Sequence, residues 1–315
     1  MTEIRAAYLA AEGFEAVLAE ELVRRGVEDL RWHGRLALSE RAPVAAAWAL
    51  DVWTDPRLIA VASIKSAADA LRAMQRNWDG MQVGHFRRAA LIAARLPPLR
   101  GREFMPGDLP PVGHLGGWTL LEPELMLASP TKTSPFVGGV PVFVEDRIGP
   151  PSRAYLKLWE ACLRFGEWPA AGARCIDLGA SPGGWSWALA ALGAEVLAVD
   201  RAPLDPRVAA MAGVNWCQGS AFAMAPERCD WMFSDIIAYP QRLLELVQGW
   251  IDAGAAGRII CTLKFQGATD HAAAEAFAAI PGGRVLHLAA NKHELTFLWR
   301  EDQGRGDQAV IGSSP

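Results

Sequence analysis

The chain has 315 residues, of which 51% are hydrophobic and 21% charged, and its formal net charge is −4. This ordinary balance excludes collagen-like order and disorder of the whole chain. No stretch of about eighteen apolar residues lacks a charge, which excludes an ordinary transmembrane helix, and acidic residues near the start disfavour a signal peptide. The five Cys residues show no C-x₂-C spacing, so we expect a cytoplasmic protein with reduced thiols and no metal.

Residues 1–145 have the pattern of a small α+β domain. Apolar runs and helical spacing predict strands at 6–10, 30–38 and 58–64, and helices at 14–25, 43–53 and 66–74. Ser66 is the expected N-cap of the last helix. Units of this kind fit one or two ferredoxin-like sheets.

Residues 97–151 are rich in Pro and Gly, and we interpret them as a linker between two domains. Beyond it, residues 150–300 alternate between the two periodicities. The pattern predicts helices at 154–165, 185–192, 241–253 and 271–280, and strands at 174–179, 195–200, 214–217, 231–235, 258–265, 284–289 and 294–300. Such alternation indicates a doubly wound, mostly parallel sheet. The last two strands are joined too closely for a crossover helix, so we expect them to pair antiparallel. Residues 301–315 are expected to form a flexible tail.

A glycine-rich turn lies where the first strand of this sheet meets its helix, with the sequence IDLGASPGGWS at 176–186. Glycines allow a sharp turn and close approach of a ligand to the backbone, and the next strand ends in Asp200, where an acid can bind ribose hydroxyls. A tight turn without any ligand is the simpler alternative. The turn lacks both G-x-G-x-x-G and the phosphate-loop Lys, which argues against dinucleotide and phosphate-loop sites. Turn and acid together indicate a nucleoside-type cofactor.

The D-L-G-x-x-P-G-G-W pattern resembles the S-adenosylmethionine turn of the FtsJ-like ribose 2′-O-methyltransferases. The resemblance implies a Rossmann-like class I methyltransferase sheet with an antiparallel last strand, and S-adenosyl-L-methionine as cofactor. The cofactor-binding residues implied are Asp177, Gly179, Ser181, Pro182, Gly183, Gly184, Trp185, Asp200, Ser220 and Asp235.

The same resemblance implies a catalytic tetrad, Lys-Asp-Lys-Glu, in that order along the chain. Matching positions are Lys157 in SRAYLKL, Asp235 in FSD, Lys264 in CTLK and Glu294 in HELT. In such an enzyme Lys264 acts as the general base on the ribose hydroxyl, Asp235 orients it, and the other two position the ribose. Each residue alone could be an ordinary surface charge or turn residue, but four matches in order make coincidence a poor explanation.

Further motifs are similar to the RlmM-type branch of that family, which modifies a cytidine of bacterial large-subunit ribosomal RNA. They are GVP at 139–141, GASPGGW at 179–185 and HELT at 293–296, while EGFE at 12–15 and AEEL at 19–22 resemble the opening of THUMP-bearing RNA-modifying enzymes. The expected substrate is therefore ribosomal RNA, and the N-terminal region is expected to be THUMP-like. Ser220 departs from the family pattern, which has an acid near the adenine.

An arginine run precedes the Pro/Gly-rich segment, and its members are Arg87, Arg88, Arg95, Arg100 and Arg102. Arginine suits phosphate contacts, so these residues are candidate RNA ligands, with a solvated surface as the alternative. We expect a monomer or weak dimer with no membrane partner. Two other functions stay open: a non-catalytic RNA-binding protein with a decayed methyltransferase domain, which Ser220 alone favours, and a nicotinamide oxidoreductase, which the missing G-x-G-x-x-G disfavours.

Overall fold

The structure is a computed structural model that describes residues 3–99 and 101–301. The chain divides into two compact units. The first contains the described residues up to Phe104 together with Pro110–Val142, and the second contains Met105–Leu109 and the described residues from Phe143 onward. Among the described residues, none of the helices has the length and apolar character needed to cross a bilayer.

The first unit contains nine strands and three helices within its described residues. In chain order these are β1 (Ala6–Ala10), α1 (Glu15–Arg24), β2 (Arg31–His33), β3 (Leu36–Ser39), β4 (Ala49–Trp53), β5 (Arg57–Ala60), α2 (Ile64–Met74), β6 (Trp78–Gly80), α3 (Phe86–Ala93), β7 (Glu103–Phe104), β8 (Gly116–Glu122) and β9 (Leu125–Ser129). Two four-stranded sheets result, with the orders β2-β3-β1-β4 and β5-β9-β8-β6. The first is antiparallel throughout, and in the second only β6 and β8 run parallel.

Two apolar clusters support the sheets of this unit. Leu9, Leu36 and Trp53 of the first sheet share one cluster with Leu127 on β9 of the second. Leu71 on α2 and Trp118 on β8 belong to the cluster of the second, and both are at most 1% exposed. Burial of such large side chains is the main contribution to the stability of each sheet.

Three element predictions for residues 30–74 are wrong in detail. The strand expected at 30–38 is a hairpin, because Gly34 adopts a φ of 57° and turns the chain between β2 and β3. The helix expected at 43–53 is wrong: residues 49–53 form strand β4, because pairing with β1 outweighs the high helix propensity of the alanines in this segment. Helix α2 begins at Ile64, and its cap is Ser63, whose hydroxyl accepts from the Ser66 backbone N–H while Ser66 closes a capping box.

The Pro/Gly-rich segment 97–151 is not only a linker. Strands β8 and β9 lie inside it and pair antiparallel from Gly117 to Glu122. The prolines and most glycines lie outside the two strands, while the strand residues Trp118, Leu120 and Leu127 are at most 1% exposed. Composition averaged over the segment therefore concealed a buried hairpin.

Strand β10 (Val142–Phe143) begins at the last residue of the first unit. The second unit then alternates helices and strands. These are α4 (Tyr155–Phe165), β11 (Arg174–Leu178), α5 (Gly184–Ala191), β12 (Glu195–Asp200), α6 (Pro206–Ala209), β13 (Val214–Gln218), β14 (Cys229–Ser234), α7 (Pro240–Asp252), β15 (Ala256–Lys264), α8 (His271–Ala278), β16 (Gly283–Leu286) and β17 (Glu294–Arg300).

Seven of these strands form one sheet in the order β13-β12-β11-β14-β15-β17-β16. The pairs β13/β12, β12/β11, β11/β14 and β14/β15 are parallel, whereas β17 runs antiparallel to both of its neighbours. The prediction of a mostly parallel α/β sheet with an antiparallel last strand is confirmed. The strand order reverses at β11, between β12 and β14, and this places a ligand crevice at the carboxyl ends of these strands.

Candidate functional site

A cavity of about 440 Å³ lies at the carboxyl ends of β11, β12, β14 and β15, wholly within the second unit. Its size falls in the range of small-molecule sites. Its lining includes Ser152, Asp177, Gly179, Ser181, Pro182, Gly184, Trp185, Asp200, Arg201, Ser220, Phe222, Asp235, Ile236, Ile237, Arg242 and Lys264. Most of the cofactor-binding residues expected from the sequence therefore line one cavity, and Gly183 does not.

The glycine-rich turn has a backbone that a side chain would obstruct. Gly179 has a φ of 80°, and a Cβ there would overlap the Ile236 side chain. Gly183 has a φ of 110°, with Val208 Cγ1 only 2.9 Å from where its Cβ would be. Both positions require glycine because the left-handed backbone and the close neighbours each exclude a side chain. The turn thus exposes backbone to the cavity.

Trp185, at the start of α5, contributes more to the core than to the cavity surface. It is only 3% exposed, its Nε1 donates to the Ala154 carbonyl at 2.8 Å, and its ring meets Phe233 edge-on. This anchoring fixes the start of α5 behind the turn.

Asp200 and Ser220 follow two neighbouring strands and line the same wall. The Asp200 carboxylate accepts from the Ser181 backbone N–H at 3.0 Å and from the Ala202 backbone N–H at 2.8 Å. It is therefore held in place, with lone pairs remaining for a ligand hydroxyl. Ser220 is half-buried.

Asp177 lies beneath the turn and is 1% exposed. Burial raises its pKa to about 7, against the hydrogen bond that it accepts from Ser186 Oγ at 2.7 Å. Nearby carboxylates add to the rise, chiefly Asp235. A carboxyl group with this pKa can change its charge near neutral pH.

The four residues of the expected tetrad form one ion-pair cluster, which we call the tetrad. Lys157 Nζ lies 2.8 and 2.9 Å from the two carboxylate oxygens of Asp235 and 3.1 Å from Glu294 Oε1. Lys264 Nζ donates to the Asp235 carbonyl at 2.5 Å and lies 3.1 Å from Asp235 Oδ1. Lys264 and Glu294 are also cross-strand partners on β15 and β17. Two cations and two anions thus meet where Lys157 of α4 reaches the ends of β14, β15 and β17.

The two lysines of the tetrad have different surroundings. The Lys157 side chain is 9% exposed, its three donors are used by Asp235 and Glu294, and it does not line the cavity. The Lys264 side chain is 20% exposed and lines the cavity beside Asp235. Since Lys264 Nζ has only two acceptors among the described residues, it is the member with capacity for a ligand.

The expected RNA-contacting arginines belong to the first unit and are not equivalent. Arg87 and Arg95 are exposed, whereas Arg88 is half-buried and donates to the Val61 carbonyl at 3.3 Å. The Arg102 guanidinium lies 5.2 Å from the centre of the Phe104 ring. Arg100 lies outside the described residues.

Sequence reasoning did not find several residues of the cavity wall, including Ile236, Ile237, Phe222 and Arg242. Ile237 is 81% exposed and lies two residues after Asp235, just beyond the end of β14, a position that the sequence did indicate. Nothing in the sequence indicates that Arg242 lies over the Phe222 ring, twenty residues away, at 3.9 Å from its centre.

Within the part of the chain that the structure describes, no group of three or more His, Cys, Asp and Glu is arranged to hold a metal.

Comparison with known proteins gives a match to the FtsJ-like methyltransferase family over residues 150–249. The protein named ribosomal RNA large subunit methyltransferase M from Azoarcus sp. is 34% identical over 163 residues, which are 45% of this chain and 44% of that protein. The protein of the same name from Aromatoleum aromaticum is 43% identical over 120 residues, 36% of this chain and 33% of that protein.

A solved structure described as a ribosomal RNA methyltransferase from Plasmodium falciparum is also similar, with 14% identity, 47% of this chain and 96% of that chain covered, and a TM-score of 0.36. A score this low supports no inference about this chain.

The matches to the curated relatives span less than half the length of those proteins. The matched region and the cavity coincide at the glycine-rich turn, and residues 150–249 of this chain are similar to an FtsJ-like methyltransferase domain.

Proposed function

We propose that this protein transfers the methyl group of S-adenosyl-L-methionine to a ribose 2′-hydroxyl of RNA. The observation that carries the proposal is the tetrad: Lys157, Asp235, Lys264 and Glu294 form one ion-pair cluster beside a cavity, inside a chain that matches the FtsJ-like family. The intact tetrad argues against a decayed domain, and the glycine pattern argues against a nicotinamide cofactor.

The cavity has the features that S-adenosyl-L-methionine needs. The backbone at Gly179 leaves room that a Cβ would fill, the Asp200 carboxylate is fixed where it can accept from ribose hydroxyls, and Asp235 offers an anion near the positively charged sulfonium and amino groups. When bound, the cofactor supplies an electrophilic methyl carbon on its sulfonium sulfur.

Lys264 acts on the proton of the attacking hydroxyl. Its Nζ, as the neutral amine, takes the proton of the ribose 2′-hydroxyl while the hydroxyl oxygen attacks the methyl carbon in line with the breaking carbon–sulfur bond. The oxygen–carbon bond forms, and the electron pair of the broken bond stays on the departing sulfur. The products are a 2′-O-methylated nucleotide, S-adenosylhomocysteine and a proton held by Lys264.

The other three residues of the tetrad position this base. The carbonyl and carboxylate of Asp235 both contact Lys264 Nζ, so Asp235 sets the direction of the amine. Lys157 holds the Asp235 carboxylate through two hydrogen bonds and ties it to Glu294. Alignment of the reactants supplies much of the rate in such a transfer, and a fixed amine contributes to that alignment.

We further propose that the substrate is large-subunit ribosomal RNA and that the first unit is a THUMP-like RNA-binding domain. The support is the name of the curated relatives, ribosomal RNA large subunit methyltransferase M, and the exposed arginines at 87 and 95. The arginine run as a whole is the proposed contact surface. The protein acts in the cytoplasm as a monomer or weak dimer in this proposal.

The deciding experiment is transfer of labelled methyl from S-adenosyl-L-methionine to an unmodified large-subunit ribosomal RNA transcript. Nucleoside analysis then identifies the product, which is expected to be a 2′-O-methylated nucleoside. Label on a base, or no label in the RNA while the protein binds S-adenosyl-L-methionine, contradicts the proposal. Replacing Arg87 and Arg95 together by Gln should reduce the salt dependence of RNA binding, and an unchanged slope would assign these residues to a solvated surface.

A further inference from the structure

The rim of the cavity carries an arginine to which the proposed chemistry assigns no role. Arg242 lies in the first turn of α7, is exposed and lines the same cavity as Asp235 and Lys264. Within the described residues Arg242 forms no ion pair, and its recorded side-chain contact is with the Phe222 ring, 3.9 Å from guanidinium carbon to ring centre.

This cation–π contact holds the guanidinium over the ring. Phe222 is half-buried, and a contact made through the ring face uses none of the guanidinium N–H groups as hydrogen-bond donors to an acceptor oxygen. A planar fork of donors held in this way is suited to bidentate binding of a phosphate. Because no carboxylate among residues 3–99 and 101–301 pairs with it, its positive charge is available to an anion.

The segment leading to Arg242 is unusually apolar for a surface. Ile237 is 81% exposed and Tyr239 is 67% exposed, and both lie between Asp235 of the tetrad and Arg242. Exposed aromatic and apolar side chains next to a cation are typical of surfaces that bind single-stranded nucleic acid, because bases stack on the rings while the cation binds the backbone.

We propose that Arg242, supported by Phe222, binds a phosphodiester group of the RNA next to the nucleotide that enters the cavity. The inference rests on the proposed function, since it assumes that the anion is an RNA phosphate. A ligand of a different kind, the carboxylate of the cofactor, is the competing assignment. The two predict different consequences of removing the guanidinium, because only the cofactor contact affects binding of S-adenosyl-L-methionine without RNA.

The test compares Arg242→Gln with a matched control, Arg228→Gln. Arg228 is also exposed, but it precedes the first residue of β14 and so lies at the opposite end of the strand that leads to Asp235. Each variant removes one positive charge from an exposed position in the same unit. Affinity for a short unstructured single-stranded RNA is measured over a series of salt concentrations.

For Arg242→Gln we expect weaker binding and a slope of log affinity against log salt that is smaller by about 0.7, the contribution of one phosphate contact in a single strand. The Michaelis constant for the ribosomal RNA transcript should rise, while the dissociation constant for S-adenosyl-L-methionine stays that of wild type. Arg228→Gln should match wild type in all three measurements. Arg242→Lys should restore most of the salt slope and less of the affinity, because a lysine keeps the charge without the planar fork.

Three results would overturn the proposal: a wild-type salt slope for Arg242→Gln, an equal loss for Arg228→Gln, or weaker binding of S-adenosyl-L-methionine by Arg242→Gln without RNA. The last result would assign the guanidinium to the cofactor. Failure of the proposed function is a separate outcome, because a wild-type protein that transfers no methyl to RNA can still show the difference in slope between the two variants. That combination would retain the phosphate site and reject the methyl transfer.

Discussion

Each unit contains a buried lysine that pairs with two carboxylates. The two clusters differ in what surrounds the cation. In the first unit, Lys132 Nζ donates to Asp51 at 2.7 Å, to Asp79 at 3.2 Å and to the Phe136 carbonyl at 2.9 Å, and its side chain is 1% exposed. We call this the Lys132 cluster. All three donors of the ammonium are used, and Lys132 is not among the residues that line the neighbouring cavity.

The tetrad differs because it contains a second lysine that is neither fully buried nor fully bonded. Lys157 corresponds to Lys132, with its three donors used, but Lys264 lines a cavity with only two acceptors among the described residues. A closed cluster can stabilise its surroundings, whereas a cluster with an accessible amine can also exchange a proton with a ligand. The comparison separates the proposed chemistry of Lys264 from mere burial of charge.

The largest expected effect is that of Lys264→Met on methyl transfer. Loss of the general base should lower the turnover number by about 10²–10⁴-fold, with binding of S-adenosyl-L-methionine close to wild type, as measured by calorimetry. Lys264→Arg is the matched variant, because it keeps the positive charge but cannot lose a proton at neutral pH. If Lys264→Arg retains wild-type turnover, Lys264 is not the base.

The next largest effect is on the free energy of unfolding, and it tests the Lys132 cluster. Lys132→Met leaves Asp51 and Asp79 without their cation and should lower the free energy of unfolding by about 3–5 kcal/mol, as for other broken buried pairs. Denaturant unfolding followed by circular dichroism measures the change. Lys65→Met, at an exposed lysine of the same unit, should be close to neutral. Equal stability of the two variants would show that the Lys132 cluster has no structural role.

A smaller effect concerns the two buried acids, Asp51 and Asp177. Burial raises the pKa of both, but Lys132 opposes the rise for Asp51. For Asp177 the opposing contacts are hydrogen bonds from the Ser186 side chain and backbone, and burial still raises the pKa to about 7. Between about pH 4 and pH 7 the folded protein holds a proton on Asp177 that the unfolded chain has lost, so this group lowers stability as the pH rises.

The stability of Asp177→Asn relative to wild type should therefore increase as the pH rises from 5 to 8, by a few kcal/mol at most. The pH is varied in steps of about one unit. Thermal unfolding at each pH gives the difference. Asp205→Asn is a suitable control, because its partner Arg207 holds the pKa of Asp205 below its ordinary value, and the effect of that acid is confined to lower pH. A constant difference for Asp177→Asn over this range would contradict the elevated pKa.

The smallest expected effect is on the affinity for S-adenosyl-L-methionine, and it concerns a residue of the cavity wall outside both clusters. Ser220→Asp would place there the acid that the resemblance to FtsJ-like enzymes leads us to expect near the adenine. A carboxylate can accept from the exocyclic amine of the adenine, and the gain of about one hydrogen bond, roughly 1 kcal/mol, predicts S-adenosyl-L-methionine binding tighter by about fivefold. Calorimetry of Ser220→Asp beside Ser220→Ala measures it. Weaker binding by the Asp variant would place the adenine elsewhere.

Local sequence was sufficient for most elements of the second unit because their signals are local, although it missed the short helix α6 and ended the strand at 284–289 three residues too late. The expected strand at 195–200 and the expected helix at 241–253 agree with β12 and α7 within one residue, since periodicity and the Pro and Gly at their ends act over a few residues. The same reasoning was wrong at 43–53, where alanines favoured a helix but pairing with β1 produced a strand. Pairing partners distant in the chain are invisible to a local pattern.

The sequence by itself determined the glycine-rich turn, the order of the tetrad residues and the alternation that builds the parallel sheet, because each is carried by a short motif or a short period. Only the tertiary structure decided which charges meet. Lys157 reaches Glu294 across 137 positions, Lys264 keeps an amine at the cavity, and Arg242 lies on Phe222. Such contacts depend on where the strand ends converge, which is set by sheet order and burial rather than by any residue's neighbours in the chain.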